Sequence, residues 1–599
     1  MKKHPSRYAL IALLALVSLN FLLWLSFRDY SALASENAKH LLKTYDMLRT
    51  WQSSGWSQAL NTNTYPPLFY VPAALLYALL GLHSENIALL TLWPYVLGTA
   101  GAVFGLARLF KLPRPEALSA AFLTATALSV SLQEDGFIIE YAILALVTAA
   151  LYLTLASNFL QRRGASLGLA VVCGLAALTK WTFISYLPWA ILLSLFALGK
   201  EAPQRRKRAL NWVLALLIFG LIAHTWYGAV HLNLNQGTAY NNFQQTFTHF
   251  LHSQATEIEV RTTQVDVSSQ KWYEWGPIAL TRFLVEEIVP VHLSILIIWG
   301  LFCALRSLKR GDLPRLHLLL VVLTFLSTLI VFTFYPSQAL FSPQKTLRHL
   351  GPAAPLAIFL AMLGISQLKK GRIIALVIVN AIGFFSLVSW AMPPNRLHEN
   401  AFVRPTVHGV RHLAPANLLG RESKNADSLF QLLRQIDAYS QRGYTPVYVF
   451  GVFQDYQPLL VELYGYRGSV PVAFCSRGQV NFLNGQTLFN EPDTPQLDLS
   501  RPLFILQDHV WRDGTDPYDA QRHDGCDLED ANIRAVRSVV QNPGPRQLQG
   551  PYKFTGLDCQ LQYYCTTANL WPDLWRAYEQ HTGEIAPQPT TPPSTSPAP

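Results

Sequence analysis

Six carboxylates of this chain lie in two polar stretches beside long apolar runs. Asp29, Glu36 and Asp46 lie in the first, and Glu134, Asp135 and Glu140 in the second. Glu140 opens the apolar run Tyr141-Ala142-Ile143-Leu144-Ala145, so its charge must face a polar cavity. Two carboxylates brought together from separate segments can include one able to take a proton from a hydroxyl. The plainer reading of any one of them is an interfacial acid paired with Arg28, Lys39, Lys43 or Arg49. Three cations complement the acids. Lys180 interrupts an almost continuous apolar stretch between Leu178-Thr179 and Trp181-Thr182-Phe183, where snorkelling to the surface is the alternative to a binding role. Lys345 and Arg348 sit in Ser342-Pro343-Gln344-Lys345-Thr346-Leu347-Arg348-His349. Lys and Arg are natural partners of phosphate, and a lipid phosphate suits this depth.

A third group could bind rather than react. His40 precedes Leu41-Leu42, and Tyr65-Pro66-Pro67-Leu68-Phe69-Tyr70 is a stiff aromatic-proline element. Two prolines fix the start of a helix. With Trp51 and Trp56, these aromatics suit an interfacial belt, a sugar-stacking surface or a lipid path.

The elements that must position these residues are membrane helices. Half of the residues are hydrophobic (51%) and few are charged (14%), and the apolar residues come in blocks. Runs long enough for a hydrocarbon core recur up to Met392, about eleven in all. They are 8–27, 87–107, 117–133, 141–160, 165–179, 181–199, 209–230, 288–305, 316–334, 350–365 and 373–392. Basic clusters at 2–7, 108–114, 162–163, 200–208, 306–315 and 369–372 alternate with these runs if all are cytoplasmic. That works only if 66–81 is not a span but lies on, or dips into, the outer face. The N-terminus is then cytoplasmic and retained as a helix rather than cleaved. Segments 28–86, 133–140, 231–287 and 335–349 share the outer face with the end of the fifth span. The expected organisation is a transmembrane catalytic domain (1–392), an extracytoplasmic soluble α/β domain (393–584) with strands at 447–450, 470–474 and 503–506, and a disordered Pro/Thr/Ser tail (585–599).

The net charge of +10 does not point to nucleic acid, because no basic stripe occurs in the soluble part. Cys173 and Cys303 lie in spans and are expected to pack as small hydrophobes. Cys475, Cys526, Cys559 and Cys565 fall in the outer domain, where three disulfide connectivities are open. No Cys-x-x-Cys pair suggests zinc. Paired acids can hold a divalent cation, so the metal question stays open and no cofactor is certain.

Taken in order, these residues resemble the GT-C superfamily of polyprenyl-phosphate-sugar glycosyltransferases, nearest the protein O-mannosyltransferase and lipid A aminoarabinose transferase group (glycosyltransferase family 39-like). The likeness rests on Glu36 with His40-Leu41-Leu42 and Tyr65 to Tyr70, and on Glu140 at the start of the fourth span. It also rests on Gly174-Leu175-Ala176-Ala177-Leu178-Thr179-Lys180, and on Lys345 and Arg348 leading to Pro352 and Pro355. It covers roughly residues 1–392. Two departures are plain: the usual first-loop Asp-Glu pair reads Glu36-Asn37, and the second acid is Glu140 rather than Asp.

The resemblance implies an integral-membrane enzyme of the plasma or inner membrane. It would move a sugar from a polyprenyl-phosphate donor to an acceptor hydroxyl of a lipid, glycan or protein, by single displacement with inversion. Glu36 is then the expected base, with Glu140 orienting the acceptor or sharing that role, and Asp29, Asp46, Glu134 and Asp135 as alternative acids. Lys180, Lys345 and Arg348 would hold the donor phosphate, and His40, Tyr65, Pro66, Pro67 and Tyr70 the sugar and lipid. The rival readings are a polytopic transporter or flippase, and a non-catalytic binder of lipid-linked sugar. No internal repeat favours the transporter.

Overall fold

The computed structural model describes residues 5–27, 35–61, 66–80, 85–135, 137–200, 202–232, 293–310, 313–334, 351–368 and 370–391. Beyond these it describes 447–450, 472–475, 503–510, 538–542, 548–555, 560–566 and scattered positions at 570–580. They divide into two units: residues 1–28 with 43–421, and residues 29–42 with 422–599.

The helices of the first unit are α1 (Pro5–Phe27), the second part of α2 (Ser35–Ser54), α3 (Trp56–Asn61), α4 (Val71–Leu80), α5 (Glu85–Leu109), α6 (Arg114–Asp135), α7 (Glu140–Ala156), α8 (Arg163–Ala177), α9 (Pro188–Lys200), α10 (Ala202–Leu232), α11 (Ser294–Arg310), α12 (Arg315–Phe334), α13 (Ala354–Ser366) and α14 (Arg372–Ala391). Every apolar run read from the sequence overlaps one of them. Among the described residues, Asn86–Leu109 and Gln204–Tyr227 suffice to cross a membrane by length and hydropathy alone, against the eleven or so spans expected. The other apolar helical stretches run 10–17 residues, or about 15–25 Å; Pro67–Leu80, which contains α4, is one of them.

Three boundaries differ from expectation. The first polar stretch is mostly helical, through α2 and α3. The stretch 133–140 is not all connector, because α6 continues through Glu134 and Asp135, in a Leu-Gln-Glu sequence of good helix formers. The run 181–199 is broken into a 3₁₀ segment, Trp181–Tyr186, followed by α9. Pro188 disfavours helical backbone in the residue before it and suits the first helical position.

Burial sorts the helices. In α7 nearly every side chain from Glu140 to Leu155 is buried, and in α13 every one from Ala354 to Ile365 is. Helices apolar all round belong in an interior. The surrounding helices turn apolar residues outward as well: Leu216, Leu217 and Leu221 of α10, Ile295, Ile298 and Phe302 of α11, and Ile373, Ile374 and Val377 of α14 are exposed. A surface this apolar is stable in hydrocarbon and not in water.

Small residues bring backbones close. A Cβ on Gly300 of α11 would meet the Leu360 carbonyl oxygen of α13 at 1.8 Å, and Trp299 Nε1 donates to Gly364 O across the same crossing (3.2 Å). Polar links fix other pairs. Trp93 of α5 stacks on Phe21 of α1 at 4.2 Å and donates to Ser18 Oγ at 2.9 Å. Glu116 of α6, fully buried, is ion-paired with Arg372 of α14, and Asn380 of α14 donates to Ser119 Oγ of α6 at 2.7 Å.

The connection from α7 to α8 carries unusual backbone. Asn158, Phe159 and Leu160 are all left-handed, with φ of 51°, 54° and 66°. Each such residue other than Gly is costly unless its surroundings dictate it. Here they do: Leu160 N–H donates to Ser157 Oγ (2.9 Å), Asn211 Nδ2 of α10 donates to Leu160 O (2.7 Å), and Phe159 packs edge-on against His317 of α12.

The second unit holds a five-stranded sheet of order β2-β1-β3-β5-β4. Strands β1 (Val447–Phe450), β2 (Val472–Cys475) and β3 (Leu503–Val510) are parallel, while β5 (Gln560–Thr566) is antiparallel to β3 and to β4 (Gln549–Thr555). The first three lie close to the expected strands, with β2 displaced toward Cys475 and β3 four residues longer. The closing hairpin of β4 and β5 was not foreseen. Cys173 and Cys303 are free thiols in α8 and α11; of the cysteines in the disulfide expectation, Cys475 and Cys565 are described as backbone in β2 and β5, and Cys526 and Cys559 lie outside the described residues.

Candidate active site

Glu140 is the first residue of α7, where the helix dipole favours a carboxylate. Its residue is 4% exposed. α8 runs back along α7 and ends at Ala177, after which the chain becomes extended at Lys180 (φ −159°, ψ 128°). The Lys180 amide donates to Ala176 O at 2.9 Å. Its side chain returns to the start of α7, and Lys180 Nζ lies 3.0 Å from Glu140 Oε1. The acid and the cation singled out separately in the sequence are therefore one buried ion pair. Lys180 does not snorkel away; its side chain is only 15% exposed. The charge of Glu140 also acts on the buried phenol of Tyr186.

The aromatic-proline element contacts both segments that carry this pair. Pro66 is in polyproline conformation (φ −54°, ψ 144°), and Pro67 starts a 3₁₀ turn whose last residue is Phe69. Leu68 N–H donates to Leu178 O at 3.0 Å, two residues before Lys180. Phe69 stacks on Phe137 at 4.6 Å, three residues before Glu140. One short element thus grips both the segment carrying the acid and the segment carrying the lysine. Tyr70 is fully buried and caps the 3₁₀ turn with its amide. Behind it, Tyr45 of α2 stacks on Tyr77 of α4 at 5.3 Å.

α10 braces the same corner. Tyr227 Oη donates to Ala177 O at 3.1 Å and Trp226 Nε1 donates to Leu60 O at 2.9 Å. The two helices cross at Gly174, where a Cβ would meet Ile222 Cβ at 2.7 Å. That contact explains the glycine that opens the Gly174-to-Lys180 motif. Tyr186, Tyr227, Trp226 and Phe137 were not among the residues singled out by sequence. Their only signal was a polar-tipped or large aromatic at the end of an apolar run.

The remaining expectations divide as follows. Glu36 and His40 lie in the part of α2 that groups with the second unit; His40 is buried (3%), and the side chain of Glu36 is outside the described residues. Asp46 is in the other part of α2, half-buried. Glu134 and Asp135 are described as backbone at the end of α6. Asp29, Tyr65, Lys345 and Arg348 lie outside the described residues, as do segments 233–292 and 335–350. Among the described residues no cluster of three or more His, Cys, Asp or Glu could hold a metal ion.

No protein-family model matches the chain, and no curated protein matches it. Solved structures do. ArnT from Cupriavidus metallidurans bound to undecaprenyl phosphate matches with a TM-score of 0.54 at 15% identity, over 92% of this chain and 98% of that one. The same protein in its apo state gives 0.53 at 14% identity, over 92% and 97%. At these identities the likeness is one of fold: the helices of this chain are arranged as in ArnT.

Proposed function

We propose that the protein transfers a sugar from a polyprenyl-phosphate donor to an acceptor hydroxyl at the outer face of the membrane, with inversion. The observation that carries this reading is the buried Glu140–Lys180 pair on two segments that the aromatic-proline element contacts, set in a fold shared with ArnT along nearly its whole length. That relative binds undecaprenyl phosphate, the class of ligand for which a buried lysine with a fixed ammonium is suited.

The chemistry needs two kinds of group. A carboxylate, Glu36 in this proposal, takes the acceptor proton as the acceptor oxygen attacks the anomeric carbon. The bond from that carbon to the phosphate oxygen breaks, and its electron pair leaves on the polyprenyl phosphate. The leaving group is already anionic, so it needs positive charge more than a proton. Lys180 supplies it, aided by Lys345 and Arg348. Glu140 aims Lys180 and is assigned to orient the acceptor or share the role of base. His40, Tyr65, Pro66, Pro67 and Tyr70 are assigned to shaping the sugar and lipid pocket. About eleven spans, a cytoplasmic N-terminus and an outer α/β domain complete the proposal.

The test uses full-length protein in proteoliposomes with a panel of polyprenyl-phosphate sugars. Wild type should turn over one of them. Glu36→Gln should keep undecaprenyl-phosphate binding and lose roughly 10²–10⁴-fold in transfer, the usual contribution of a general base. Full turnover in both Glu36→Gln and Glu140→Gln removes the acid assignment. Movement of an intact lipid-linked sugar across the bilayer without transfer replaces the enzyme by a transporter.

A further inference from the structure

We propose that Tyr227 of α10 is a positioning residue that sets the depth of Lys180, and that the adjacent Trp226 steadies α10 for it by tying this helix to Leu60 at the end of α3; the inference rests on the function proposed above. The carbonyls at the end of a helix lack partners within it. At the end of α8 two of these receive donors from elsewhere in the chain: Ala177 O from the Tyr227 phenol (3.1 Å) and Leu178 O from the Leu68 amide (3.0 Å). Lys180 follows directly, and its extended backbone is fixed by the amide bond to Ala176 O.

The neighbouring Trp226 performs the second half. Its indole is buried (4% exposed) and lies edge-on to Tyr227 at 4.7 Å, and Nε1 donates to Leu60 O (2.9 Å). Trp226 thereby ties α10 to α3 beside the Tyr227 phenol. Neither side chain carries a group that the transfer reaction consumes. Each acts through a backbone it holds: Tyr227 through the end of α8 just before Lys180, Trp226 through the end of α3. The Gly174–Ile222 approach brings the two helices near enough for the phenol to reach.

Tyr227→Phe removes one hydroxyl and should lower kcat roughly three- to tenfold with little change in KM, the worth of one neutral hydrogen bond. Trp226→Phe keeps an aromatic ring, loses the bond to Leu60 O and should lower kcat in the same direction. In a Lys180→Met background, Tyr227→Phe should add nothing; multiplicative losses would overturn the assignment. A second measurement stands apart from activity. Hydrogen exchange of the full chain in detergent should speed up by a similar factor at amides 178–183 in Tyr227→Phe, with α11 and α13 unchanged. Unaltered exchange at 178–183 overturns the clamp, even if the wild type proves to have no transferase activity. Absence of turnover with faster exchange overturns the proposed function and leaves the clamp standing.

Discussion

Replacing Lys180 by Met while leaving Glu140 intact should be among the most damaging single changes in the first unit. At 3.0 Å and an effective dielectric of about 20, the pair attracts by roughly 5 to 6 kcal/mol. Desolvation of both ions offsets much of that, so the pair itself adds little net stability. Breaking it is another matter. Glu140 is 4% exposed and cannot follow its charge into water, whereas Lys180, at 15%, retains some access. Lys180→Met should therefore cost about 3–5 kcal/mol, the range for removing one member of a buried ion pair. Glu140→Gln should cost less, about 1–3 kcal/mol, because the amide oxygen still accepts from Nζ. The double variant should recover part of the loss, with a coupling of about 2–3 kcal/mol. The assay is SDS-driven unfolding in mixed micelles, followed by tryptophan fluorescence in the four proteins. Additivity within about 0.5 kcal/mol, or a larger cost for Glu140→Gln than for Lys180→Met, would refute the reasoning.

Other changes probe the supports. Gly174→Ala places a methyl 2.7 Å from Ile222 Cβ and should cost about 1–3 kcal/mol by overpacking, with transfer falling alongside, as read by unfolding and turnover together. Phe69→Ala removes a buried ring stacked on Phe137 and should cost about 3–5 kcal/mol; a cost below about 1 kcal/mol would mean the stack does not hold the element. Glu116→Gln leaves Arg372, itself a third exposed, without its counter-charge. It should lower the unfolding free energy by about 1–3 kcal/mol while turnover per folded molecule stays at the wild-type level.

How much of this was legible in the sequence depends on separation along the chain. Glu140 and Lys180 each stood out because a charge beside a long apolar run is conspicuous. That they pair was also within reach: in an antiparallel hairpin turning near residue 160, positions 140 and 180 fall opposite each other. The stiffness of Pro66-Pro67 was plain, but its grip on Leu178 and Phe137 spans some seventy to one hundred and ten residues, and no local pattern encodes such contacts. The same holds for Tyr227, which reads as one more aromatic at a helix end. In the second unit, β1 to β3 are apolar runs and showed themselves. The hairpin of β4 and β5 alternates polar and apolar residues, and β4 contains Gly550 and Pro551 with an irregular register between Gln549 and Tyr552. Such a strand gives a weak signal.

The left-handed turn at Asn158, Phe159 and Leu160 works as a depth gauge for chemistry about 25 Å away. α7 and α8 leave this turn side by side, and the ion pair closes their far ends. Each residue inserted there would slide α8 by about 1.5 Å and rotate it by roughly 100°, carrying the Lys180 ammonium out of line with Glu140. A rigid, tightly bonded corner at one end of a helical hairpin is what permits ångström-scale registry at the other. Edits to those few residues would retune the site without touching it.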